Sequence, residues 1–277
     1  ASALGIRAPR LRLLQFGADE EFDAVLAAEE RSRPSNGVDE YWAKLRVDQP
    51  EAYEHARREE RRLLGMVAVM EFVPGVQLDC AAQLVAAAGA ELLQEIGRLG
   101  ALDLLLNNMD RLPLPVWGNG VGNFGNAIVV GGGADVVGID QQVLAIEDEA
   151  GMERYLDGVR RFLSCLMGTG PPREDGEFSV AALRERLRGA FFHWCHVELP
   201  EASVESLLEG LRGGVRAANE ASSSGRLQAA LDAVEQELAA RGVDDAPRLT
   251  AFVRRVAREI EEAAAVGGDA GRGALEV

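Results

Sequence analysis

What most constrains the fold of this chain is the separation of its two periodicities. From residue 151 to about 266, apolar residues recur at helical spacing, in stretches at 151–167, 179–197, 202–217, 226–241 and 248–265. The short runs that suit strands all come earlier. They are LGIRAPRLRLLQF (Leu4 to Phe16), GMVAVMEFVPG (Gly65 to Gly75), and AIVV and DVVGI on either side of GGGA. The last two read as a hairpin. Strands first and helices after argues for an α+β fold over an alternating wound sheet. Between these blocks, residues 18 to 63 are charged and helical in pattern, broken at RSRPSNG (Arg31 to Gly37). Helices are expected at 79–88 and 90–106. RLPLPVWGNGVGNFGN is too rich in Gly and Pro for helix. Ser222 to Gly225 reads as a linker, and the glycine-rich end from Gly267 as disordered.

Charge narrows the partners. A formal net charge of −16 argues against nucleic acid and against an anionic membrane surface, both of which select a basic face. No apolar run approaches the roughly 20 residues of a membrane span, and no signal peptide opens the sequence. Three widely spaced cysteines, Cys80, Cys165 and Cys195, suit a reducing, cytoplasmic setting better than a disulfide framework.

Two glycine motifs are decoys. GVGNFG (120 to 125) matches a dinucleotide-binding pattern, but Pro113 and Pro115 precede it where a strand is needed, and AIVV follows where a helix is needed. A kinase phosphate-covering loop fits the following strand better, yet requires a lysine on it, and Lys44 is the only lysine in the sequence. HWCH, with His193, Cys195 and His196, lacks the second pair that structural zinc needs, and a packed helix is expected. Stripes at Leu227, Leu231, Val234 and Leu238, and at Leu249, Phe252, Val253, Val256 and Ile260, read as core-facing. EAYEHARREERRLL (51 to 64) reads as a solvated face.

NNMDRLP (107 to 113) ends an apolar helix on two amides, an acid and a base. Such groups need partners or a ligand, because unpaired burial costs about 1–3 kcal/mol each. Asn107 or Asn108 suits a helix C-cap. Arg111 reads as a structural ion pair before a phosphate contact. Further on, Asn126 precedes AIVV and Asp140 ends VVGID, so a hairpin puts both on one edge, and the loop from Asp110 can reach it. Hard oxygen donors there suit Mg²⁺, and a nearby carboxylate could orient a hydroxyl and accept its proton.

NNMDRLP, GNFGNAIVV and VVGIDQQ together resemble the catalytic segment of the actin-fragmin kinase family, an atypical branch of the protein-kinase fold. RAPRLRLL and MEFVPG extend the resemblance over roughly residues 1 to 170. It implies a catalytic acid at Asp110 and metal ligands at Asn126 and Asp140. Asp110 and Asn126 stand sixteen apart where ordinary protein kinases have five, which leaves Asn123 as the alternative amide and Asn119 as a distant third. MEFVPG resembles the hinge, with adenine taking backbone hydrogen bonds near Glu71 and Val73 and Met70 behind the ring; a buried strand with a turn explains those residues alone.

The resemblance thus implies a protein-kinase-like fold, mainly the helical C-lobe with the last strands of an incomplete N-lobe. The expected division is 1–78 for N-lobe remnant, helical insertion and hinge, 79–220 for the C-lobe with its catalytic loop at 107–140, and 221–277 for a helical tail. It implies ATP- and Mg²⁺-dependent phosphoryl transfer to a Ser or Thr of a protein substrate, actin among the candidates. A glycine loop, lysine and helix glutamate cannot be assigned, so the chain, which starts at Ala1, is expected to be a fragment with little activity alone. The alternatives are a non-catalytic kinase-like binding module and an atypical small-molecule or lipid kinase.

Overall fold

The structure is a computed structural model that describes residues 1–15, 21–32, 44–64, 66–118, 120–133, 135–140, 143–169 and 176–272. The chain divides into two compact units, residues 10–72 and residues 1–9 with 73–277. The boundary falls between Phe72 and Val73, inside MEFVPG.

In the unit of residues 10–72, β1 (Leu11–Gln15) and β2 (Met66–Met70) pair antiparallel with Leu11 opposite Met70 and Gln15 opposite Met66. The Glu71 amide extends the ladder by donating to the Arg10 carbonyl at 2.9 Å. Helices α1 (Phe22–Ser32) and α2 (Pro50–Leu64) lie between the two strands in sequence. From residue 50 to 59, α2 is mostly exposed, as its run of Glu and Arg predicts. The expected break at Arg31 to Gly37 lies outside the described residues from 33 onward.

The second unit holds a three-stranded antiparallel sheet in the order β3 (Val76–Gln77), β4 (Ala127–Val130), β5 (Asp135–Gly138). The β4–β5 hairpin is the one expected from AIVV and DVVGI. It turns through Gly131, Gly132 and Gly133, all at positive φ, a conformation open to glycine without a Cβ penalty. The helices are α3 (Ala82–Ala86), α4 (Ala90–Leu106), α5 (Glu149–Met167), α6 (Val180–Cys195), α7 (Glu201–Ser223), α8 (Arg226–Ala240) and α9 (Ala246–Arg272). Their starts obey local chemistry. Asp148 caps α5 by accepting from the Gly151 amide at 2.6 Å, and Ser179 caps α6 from Ala182 at 3.1 Å. The fold is therefore α+β, as the periodicities require.

At the centre, α4 and α7 meet backbone to backbone. A Cβ on Gly97 would collide with the Leu207 carbonyl, one on Gly210 with the backbone of Gln94, and one on Gly214 with Ala101. Around this contact Leu92, Leu93, Ile96, Leu207, Leu208 and Leu211 are all within 1% of full burial.

Three details differ from expectation. Ser222 to Gly225 is a tight turn, not a linker: α7 runs to Ser223, Ser224 Oγ donates to the Glu220 carbonyl at 2.6 Å, and Gly225 at φ 76 opens α8. Helix α9 runs past Gly267 to Arg272, and residues 273–277 lie outside the described residues. Of the two tail stripes, Phe252, Val253, Val256 and Ile260 of α9 are buried. Leu227 begins the α8 stripe buried, but Val234 is 49% exposed. That stripe overlies an apolar cavity of about 300 Å³ lined also by Leu102, Leu105 and Val253.

Candidate active site

The motif NNMDRLP is a junction in which the described polar groups mostly find partners. Asn107 ends α4 at φ 54, the left-handed cap that Asn tolerates. Its Nδ2 donates to the Leu144 carbonyl at 2.8 Å, and its Oδ1 accepts from the Trp117 indole at 2.9 Å. Asn108, fully buried, donates to Asp103 at 3.3 Å and accepts from the Asp110 amide at 3.3 Å. It thereby links the helix to the loop.

Arg111 is the hub that joins this junction to the hairpin. Its guanidinium, 1% exposed, forms an ion pair with Asp103, which is 0% exposed. Nε donates to the Asn126 carbonyl at 3.1 Å and Nη2 to the Ile139 carbonyl at 2.8 Å. One planar fork therefore ties the end of α4 to both strands of the hairpin, a geometry lysine does not offer. Burial pushes the Asp103 carboxyl up to about 7, opposed by Arg111 and by the Asn108 hydrogen bond; burial prevails. Its Oδ2 accepts no hydrogen bond among the described residues. The structural ion pair expected for Arg111 is present. Its partner was not anticipated, although an acid inside ALDLLL was the available signal: a carboxylate in an apolar helix must be paired or neutral.

Asp110 and Asn126 are brought together across sixteen residues. Asn126 Nδ2 donates to the Asp110 carboxylate at 2.9 Å and to its carbonyl at 3.1 Å. Asp110 is half-buried and Asn126 is 9% exposed. The loop closing this contact is fixed at several points. The Asn123 amide donates to the Arg111 carbonyl at 3.1 Å. Gly122, at φ 71, lies so close to that carbonyl that a Cβ would overlap it. Phe124 packs edge-on to Phe191 of α6 at 4.8 Å. Within GVGNFG, Gly122 thus serves a close loop crossing, and a strand, β4, follows the motif where a dinucleotide site needs a helix.

Asp140 succeeds Ile139, whose amide donates to the Asn126 carbonyl at 3.0 Å. The third residue is therefore one position beyond a residue bonded to the second. Asp140 is exposed at φ 52, beyond the end of β5. Asn123 uses its Oδ1 to accept from the Gly125 amide at 3.1 Å, while Asn126 turns its nitrogen to Asp110 and has its Oδ1 without a hydrogen bond among the described residues. Asn119, the third candidate, lies outside the described residues.

In the hinge-like segment, Met70 pairs with Leu11, and its side chain lies outside the described residues. The Glu71 amide is engaged by Arg10, and its carboxylate accepts from Arg10 Nε at 3.0 Å. Val73 is half-buried.

Among the described residues no group of three or more His, Cys, Asp or Glu is placed to hold a metal, HWCH included. Cys195 of that motif is buried and donates from sulfur to the Leu78 carbonyl at 3.3 Å, and burial pushes its thiol up to about 12. His196 is the left-handed cap of α6 at φ 54. Nor, among the described residues, is any helix long and apolar enough to cross a membrane.

No curated protein matches the chain. A protein family does, and it is the one that NNMDRLP and GNFGNAIVV resemble. Residues 1–135, which include Asp110 and Asn126 and end five positions before Asp140, match the model of the family described as actin-fragmin kinase, catalytic.

Proposed function

We propose that this chain carries the phosphoryl-transfer centre of an atypical, protein-kinase-like enzyme, using Mg-ATP to phosphorylate a Ser or Thr hydroxyl of a protein. The observation that carries the reading is the 2.9 Å hydrogen bond from Asn126 to the Asp110 carboxylate, inside the stretch matched to a kinase catalytic family. Asp110 orients the acceptor hydroxyl and takes its proton. Asn126 fixes the Asp110 carboxylate through Nδ2, and Arg111 holds the two loops in register from behind.

The donor set fits magnesium. A carboxylate and an amide oxygen are hard ligands, and Mg²⁺ is commonly held by one or two carboxylates together with substrate phosphates. Asn126 Oδ1 and the Asp140 carboxylate are the groups that would hold it; when bound, the ion neutralises charge on the phosphate oxygens. Along MEFVPG, backbone groups near Glu71 and Val73 are the proposed adenine contacts, and the Glu71 amide among them is already engaged by the Arg10 carbonyl. Actin as substrate, and a cytoplasmic setting, belong to the same proposal.

The test is equilibrium binding of Mg-ATP to wild type and Asp140→Ala. Loss of the magnesium-dependent part of binding in the variant is expected; equal binding removes the assignment. A second reading, a non-catalytic kinase-like module, is favoured by the presence of a single lysine, Lys44, in the sequence. It predicts no magnesium-dependent nucleotide binding in either protein. Comparing protein with small-molecule and lipid acceptors separates a protein kinase from the remaining alternative.

A further inference from the structure

The loop between Asp110 and Asn126 has a second face. Where it passes α6, Pro113, Gly120 and Val121 on one side and Arg186, Gly189, Ala190 and His193 on the other line an open pocket of about 300 Å³. Two hydrogen bonds frame it. Arg186 donates to the Gly118 carbonyl, and the Trp194 indole donates to the Val121 carbonyl at 3.1 Å. The walls are therefore fixed to each other. The pocket is also close to the proposed base: Pro113 is three residues from Asp110, and three residues of chain span at most about 11 Å.

Its charge is unusual for this molecule. The chain as a whole is strongly acidic, and most arginines near Arg186 are neutralised. On the same helix Arg184 pairs with Glu205 at 2.7 Å, and Arg188 pairs with Glu185 at 2.7 Å and with Glu201. Arg186 has no carboxylate partner among the described residues; its one bond goes to a backbone carbonyl. A guanidinium satisfied by a single acceptor keeps further donors for a ligand. The floor is a glycine in mid-helix. Gly97, Gly210 and Gly214 are demanded by close backbone approach, but a Cβ on Gly189 would meet nothing within 4 Å. Packing does not require a glycine there, and its absent side chain leaves the pocket open. Val121, 60% exposed, adds an apolar rim.

We infer that this pocket receives an acidic side chain of the polypeptide acceptor, flanking the hydroxyl presented to Asp110. The inference rests on the phosphoryl-transfer reading for the identity of that hydroxyl. Arg186 forms the charge-assisted bond, His193 borders the site, and the empty position over Gly189 admits the chain.

The probes are a dye-labelled serine peptide with glutamates on both sides of the serine and its glutamine counterpart. Binding is read by fluorescence anisotropy at about 0.15 M salt, where the Debye length of about 8 Å screens the distant negative charges. Wild type is expected to bind the glutamate peptide about tenfold more tightly, the scale of one charge-assisted hydrogen bond. Arg186→Gln should abolish that preference. Gly189→Leu should weaken both peptides without lowering Tm, since leucine is the better helix former. Equal affinities in wild type, no binding of either peptide, or a preference surviving both variants overturns the inference. Asp140→Ala should leave the preference intact. A preference that depends on Arg186, found alongside magnesium-independent ATP binding, would keep the pocket and discard the transfer reading.

Discussion

Replacing Arg111 by methionine tests the ion pair on which the site is built. In the folded chain the guanidinium is 1% exposed and serves Asp103, the Asn126 carbonyl and the Ile139 carbonyl. Asn126 would keep the amide of Ile139 as a partner, so the orphaned carbonyl is chiefly that of Ile139. One such orphan costs about 1–3 kcal/mol. Asp103 adds a pH-dependent part. With Arg111 present its carboxyl titrates at about 7, against an ordinary value of 3.8. Without the cation the largest influence holding it down is gone, and the folded value moves further up. The unfolded carboxyl titrates alike in both proteins. The variant therefore keeps losing stability with rising pH after wild type has stopped, by up to about 1.4 kcal/mol per pH unit above about pH 7. Urea unfolding at pH 6 and pH 9, monitored by circular dichroism, should show a loss of about 1–3 kcal/mol at the lower pH and clearly more at the higher. A loss independent of pH, or one below about 1 kcal/mol at pH 9, would refute the buried pair. Arg111→Met with Asp103→Leu should abolish the extra slope, because both buried charges are then gone.

Wild type should itself lose stability as pH rises from about 4 to about 7: the raised Asp103 value makes this group's contribution complete below the ordinary carboxyl range and spent above 7. Asp103→Asn should flatten that window in parallel denaturant titrations. Gly210→Ala should destabilise by about 1–3 kcal/mol or more in the same assay, through overlap with Gln94, although alanine is the better helix former. Thiol reagents should modify exposed Cys80 first, Cys165 more slowly and Cys195 only on unfolding, read as the order of labelled peptides by mass spectrometry. Asp110→Asn should leave Mg-ATP binding largely in place while lowering transfer at least 10²-fold, the scale of a lost general base.

Much of the framework was legible because it is periodic. The valine runs on either side of GGGA could bury both faces only as a short hairpin, and the stripes of α5, α6, α7 and α9 announce their helices. The hairpin alone implied a common edge for Asn126 and Asp140, whereas the approach of Asp110 to Asn126 depends on the loop between them, which the hairpin allows without fixing. What was not legible is non-local and aperiodic. Nothing in the spacing of Asp103 and Arg111 pairs them; the αL turn at Asn107 folds the chain back so that they meet. The close crossing of α4 and α7 depends on Gly97 meeting Leu207 and Gly210 and on Gly214 meeting Ala101, and a glycine in a helix does not say which neighbour it will admit. Pattern reading also ranked the α8 stripe with true core stripes, because periodicity reports a face and not what lies against it.

The glycine-mediated crossing bears on motion as well as on packing. The catalytic candidate Asp110 lies four residues beyond the end of α4, and that helix is held against α7 at Gly97 and Gly210 with no side chain between the two backbones there. Amides at Gly97 and Gly210 should then be among the slowest to exchange with deuterated solvent. Asp110 would inherit that stillness, and whatever opening a substrate requires must come from loops that this clasp does not reach.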